Sequence, residues 1–104
     1  MAKVIRLTRE VAEKFLADVP QDKQFWSRDN RVFKNLDELA IGLTDMSDDT
    51  FLYHANEDKN DFAKWVQEVI GDTRLAVALL RSRTHLQAAQ AVTVRAAALK
   101  DAIK

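Results

Sequence analysis

The chain has 104 residues, of which 47% are apolar, with two glycines, one proline and no cysteine. That length holds one modest core and not two, the composition is that of an ordered, helix-rich globule, and disulfide or thiolate chemistry is excluded. The formal net charge of zero conceals a division: residues 1–72 carry 10 basic and 15 acidic side chains, and residues 73–104 carry 6 and 1, an acidic body of −5 and a basic tail of +5. Such halves can dock on each other within a chain, pair two chains, or offer the tail to an anionic partner, and self-complementarity is the simplest of these.

Lys3 and Arg6 interrupt the apolar core that a signal peptide needs, and no apolar run reaches membrane-spanning length. The sequence therefore reads as a cytoplasmic protein without membrane contact. Lys3 to Leu7 alternates weakly, as a short strand would. Thr8 then caps a helix through Val11, Phe15, Leu16 and Val19, which Pro20 stops. Gln24 to Lys34 reads as a β-hairpin with Asp29 and Asn30 at its tip, both tolerant of positive φ. A two-residue loop there sets Trp26 opposite Phe33, giving one face with that aromatic pair and another with Phe25 and Val32. At least one face needs a helix over it, and covering Trp26 and Phe33 with the first helix is the expected solution.

Asn35 with Glu38 resembles a capping box opening a helix through Leu36, Leu39, Ala40 and Leu43, whose end Gly42 loosens. Ser47 caps a short helix carrying Phe51, His54 and Ala55, with Asp48 and Asp49 placed to complement its dipole. Asp58 is the expected cap of a helix whose stripe is Phe62, Trp65, Val66, Val69 and Ile70, and Gly71 ends it. Asp72 opens a helix whose inward side is Leu75, Ala76, Leu79 and Leu80, and Thr84 with Gln87 opens the last one. That last helix is alanine-rich, with a narrow stripe of Val92, Ala96, Leu99 and Ile103 suited to close packing on another helix, in the same chain or in a second copy.

The expected fold is α+β and mostly helical: a small hairpin packed with four to five short helices. Residues 1–83 form a compact domain with the hairpin near 24–34, and residues 84–104 form a C-terminal helix available for self-association.

His54 is the main candidate for chemistry, because it sits on or beside the inward face of its helix. A lone histidine there is more often a core residue whose tautomer is set by a structural hydrogen bond, with Asp61 or a backbone carbonyl as partner. His54, Asn56, Asn60 and Asp61 are the candidate ligand-binding residues. A single histidine without cysteine does not point to zinc, and the glycine and regular oxygen spacing of a calcium loop are missing, so no metal or other cofactor is expected. The adjacent pairs Asp37/Glu38 and Asp48/Asp49 diverge on a helix instead of flanking one bond, and neither Ser47 nor Ser82 has a base at a recognisable spacing. No catalytic residue is assigned. The basic residues Arg74, Arg81, Arg83, Arg95, Lys100 and Lys104 are spread along the tail without interleaved aromatics, which disfavours nucleic acid as the partner.

KNLDELA at 34–40, F-x-x-H-x-N at 51–56, KNDFAKWV at 59–66 and GD at 71–72 resemble a small domain family of unknown function. That family occurs largely in archaea and bacteria, alone or appended to unrelated proteins. The resemblance runs from Phe25 to Leu80 and places the recurrent positions on His54, Asn56, Lys59, Asn60, Asp61, Phe62 and Trp65. It departs at Ala55, where a larger aliphatic residue is usual, and at Asn30, where a hairpin glycine is common. No activity comes with it. The expectation is a non-enzymatic accessory or interaction module, with a protein, itself or another, as partner; the alternatives are ligand or metal binding at the His54/Asp61 corner and anionic-polymer binding by the tail.

Overall fold

The computed structural model describes residues 7–104. Among them are six α-helices and one two-stranded antiparallel hairpin, so the fold is α+β and mostly helical as expected. The strand expected over Lys3–Leu7 lies outside the described residues except for Leu7, which packs at the edge of the core.

Most helix starts are set locally. Thr8, Asn35, Ser47, Asp72 and Thr84 each accept a backbone N–H three residues on, opening α1 (Arg9–Leu16), α2 (Leu36–Asp45), α3 (Asp48–His54), α5 (Thr73–Leu80) and α6 (His85–Asp101). The expected capping box at α2 is a variant, since Glu38 Oε1 accepts from the N–H of Lys34, one residue before the cap. α4 (Asp61–Trp65) is capped by Asn60, not Asp58. Asn56–Asp58 form a turn in which Asn56 Oδ1 accepts the Asp58 N–H, and Asn60, bridged to Ala55, is the last extended residue before the helix begins. α4 continues as a wide π turn, Val66–Ile70, which Gly71 closes at φ +91° by donating to the Val66 carbonyl.

The hairpin of β1 (Phe25–Trp26) and β2 (Val32–Phe33) differs from expectation by one residue. Phe25 pairs with Phe33 and Trp26 with Val32. The loop holds three residues, Arg28 to Asn30, because Asn30 takes a left-handed φ of +69° and donates to the Ser27 carbonyl. A one-residue change of register exchanges faces. Phe25 and Phe33 therefore stack in the core, while Trp26 is left 68% exposed by the described helices.

Gly42 also has a different role. α2 runs through it to Asp45, and a Cβ at Gly42 would overlap the Phe33 ring, so the glycine is a notch for that ring and not a frayed end. The stripe of α6 packs along α2, with Val92 and Leu99 fully buried, Ala96 nearly so and Ile103 at the core's edge. Its partner helix is thus in the same chain, and these residues are not a surface open to a second copy. The body and tail meet through salt bridges as well: Lys100 reaches Asp37 at 2.9 Å, and Arg95 grips Asp72 through Nε at 2.7 Å and Nη2 at 3.1 Å.

Gly42→Ala is expected to destabilise the protein by ~1–3 kcal/mol in urea denaturation, because Phe33 has to leave its seat. Arg95→Ala should cost ~3–5 kcal/mol by stranding the buried Asp72 carboxylate, and Arg95→Lys, a point charge without the two-pronged fork, should recover only part of that.

Candidate functional site

The loop from Ala55 to Asn60 turns the chain between α3 and α4, and the amide N–H of Asn56 donates to the Lys59 carbonyl across it. His54 lies on its inner side, 5% exposed, edge-on to the rings of Phe25 and Phe62. Its Nε2 accepts the N–H of Arg28 at 3.0 Å, and its Nδ1 faces Asp61 Oδ2 at 3.0 Å. Since the Arg28 amide can only donate, the proton is on Nδ1 and is donated to Asp61. The ring thereby joins the hairpin loop, α3 and α4.

Asp61 also receives Lys59 Nζ at 2.9 Å. Burial pushes its carboxyl up, but the hydrogen bonds from His54 and Lys59, together with the Lys59 charge, outweigh that and hold it below the ordinary carboxylate value. Lys59 and the Arg28 guanidinium both lie over the Tyr53 ring, 4.9 and 4.6 Å from its centre. This aromatic and basic grouping was not visible in the chain, because residues 28, 53 and 59 belong to three different elements.

The four candidate residues are not brought to one place. His54 and Asp61 border a shallow hollow of about 390 Å³ that also touches Trp26, Lys64 and Glu68. Asn56 and Asn60 border a separate cleft of about 580 Å³ between α3, the corner loop and the end of α5. Both asparagines are engaged at each end of the amide. Asn56 donates to the Leu52 carbonyl and accepts from Asp58; Asn60 donates to the Leu79 carbonyl and accepts from Ala63.

An aspartate orienting a histidine is half of a nucleophile-activating array. The other half is not assembled here. The lone pair on Nε2 is taken by Arg28, and Ser27 Oγ, the hydroxyl next to Arg28 in the chain, is buried without a hydrogen-bond partner among the described residues. Among those residues no three histidine, aspartate or glutamate side chains converge as a metal site requires.

The larger cleft has an apolar base of Phe51 and Ala55, and Leu52 and Leu80 line it while remaining 53% and 63% exposed. Leu80 was expected in the core with Leu79. α5 ends there, and the inward positions are taken by Leu75, Ala76 and Leu79. Leu52 was legible as an outlier, since it falls between the inward Phe51 and His54. Glu57 and Asp58 edge the cleft on the loop side and Arg83 on the α5 side. Compared with known proteins, the chain matches no family model, no curated protein and no solved structure.

His54→Ala is expected to lower stability by ~1–3 kcal/mol, since it orphans the Arg28 N–H and one Asp61 contact together, and hydrogen exchange at Arg28 should quicken more than at Val92. Because the folded-state carboxyl of Asp61 titrates below its unfolded value, its stabilisation is present above the ordinary carboxylate range and is lost as pH falls through the lower folded value. Asp61→Asn should therefore be less stable at neutral pH and show a shallower loss of stability on acidification, measured by urea midpoints across the acid range.

Proposed function

We propose that this chain is a non-enzymatic interaction module that docks a protein on the cleft between α3 and the end of α5. The observation behind this reading is a contrast within one corner of the fold. The polar side chains with chemical potential, His54, Asn56, Asn60 and Asp61, spend their hydrogen bonds on joining the hairpin, α3, α4 and α5. The leucines beside them, Leu52 and Leu80, are left exposed around a concave apolar base. A charge-free centre with charged residues at its edge is the usual anatomy of a protein-docking surface. The resemblance of the corner motif to a domain family of unknown function carries no reaction and is compatible with a scaffold role for these residues.

The basic tail lends less support to an anionic polymer as partner. Arg95 and Lys100 are committed to Asp72 and Asp37, which removes two of its cations from any phosphate-binding track.

A photo-crosslinking amino acid at position 52 or 80 should capture a protein in living cells, whereas the same group at exposed position 97, on the outer side of α6, should not. Adducts at 97 with none at 52 or 80 would overturn the assignment of the face. A stoichiometric small molecule or metal in the native mass spectrum, lost in His54→Ala, would overturn the module in favour of a ligand-binding protein.

A further inference from the structure

We infer that the partner seated on this cleft is a second copy of the same chain, in a two-fold symmetric dimer; the inference rests on the docking face proposed above. A two-fold interface brings the same patch from both copies together, so the patch must complement itself. Its centre meets that condition: Leu52 and Leu80 project enough to enter the facing cleft, whose base of Phe51 and Ala55 is apolar. Its edges meet it also. Glu57 and Asp58 stand on one side and Arg83 on the other, and none of the three side chains forms an ion pair with another described residue. Turning one copy by half a revolution lays the acidic edge of each along the basic edge of its partner.

The basic tail supplies one of these edges. The basic tail is partly neutralised within the molecule, Arg95 by Asp72 and Lys100 by Asp37. The cations Arg74, Arg81 and Arg83, which lie on α5 and just beyond it, pair with no described acidic residue. Of these, Arg83 lines the cleft at its α5 end, and Glu57 and Asp58 line it at the corner loop. A cleft whose acids and cation, unpaired among the described residues, stand at opposite edges supplies both halves of the interface itself. The lysine at the cleft, Lys59, takes no part, because it is held by Asp61 and Tyr53.

Sedimentation velocity over a range of concentrations tests this with three full-length variants, each checked for a wild-type circular dichroism spectrum and melting transition. The wild type should show a concentration-dependent monomer–dimer equilibrium that weakens with added salt. The double substitution E57K/D58K and the single R83E should each weaken the dimer by about tenfold or more. An equimolar mixture of those two variants should restore it, because one then presents basic residues at both edges and the other acidic residues at both. V94E, on the outer side of α6, should dimerise like the wild type. A wild type that stays monomeric at every concentration overturns the second copy, and so does a dimer abolished by V94E but not by R83E, or one that the mixture fails to restore. Such a result, with crosslinks from position 52 to a different protein, would leave the docking face standing and replace only its occupant; no crosslinks at all would remove both.

Discussion

The arrangement of the C-terminal half depends on one buried carboxylate. Asp72 is 1% exposed and does two things at once: its Oδ1 caps α5 through the N–H of Leu75, and both its oxygens receive Arg95 from α6. A buried charge is tolerated only when its lone pairs are filled, so α5 can start only where α6 delivers its guanidinium. Because α6 is itself pressed along α2 by Val92, Ala96 and Leu99, the start of α5 is referenced to the middle of the core. The far end of α5 is tied by Asn60, whose amide donates to the Leu79 carbonyl. With both ends fixed, Leu80 and the residues after it stand beside α3, and the space between them is the cleft.

The corner loop illustrates how residues that look reactive are consumed by architecture. A histidine next to an aspartate suggests proton transfer, yet His54 is bonded at both nitrogens to groups that hold separate elements together. Releasing Nε2 for chemistry means releasing the hairpin loop. Asn60 is used in the same way, with one end of its amide starting α4 and the other holding α5. This density of two-ended hydrogen bonds explains why a loop of six residues can be rigid without a glycine or a proline. It also leaves the nearby apolar side chains as the groups with unmet contacts, which is the physical basis of the docking reading.

Much of the helical scaffold was legible because the relevant interactions are short. Caps span three residues, stripes repeat every three or four, and Thr8, Asn35, Ser47, Asp72 and Thr84 all open helices where their spacing indicates. The errors fall where two outcomes differ by little locally. A two-residue and a three-residue loop both suit Asp29 and Asn30, but they exchange the faces of Phe25 and Trp26. Gly42 has the same local meaning as a helix end or as a notch, and only the arrival of Phe33 from the hairpin decides between them. Asp58 and Asn60 are both capable caps, and the pairing of Ala55 with Asn60 selects the second.

By itself the sequence determined the helical class, the positions of most helix starts, the existence of the hairpin and the concentration of polar residues at 54–61, all of which follow from neighbours a few residues apart. The tertiary structure decided what those residues are free to do. His54 meets Arg28 across 26 positions, Asn60 meets Leu79 across 19, and Trp65 donates to the Lys23 carbonyl across 42. The α6 stripe was visible in the chain, but its partner was not, since an apolar stripe reads alike whether α2 or another molecule covers it. Whether a donor, an acceptor or an apolar face is satisfied is a property of what the fold brings to it, and no local spacing encodes that.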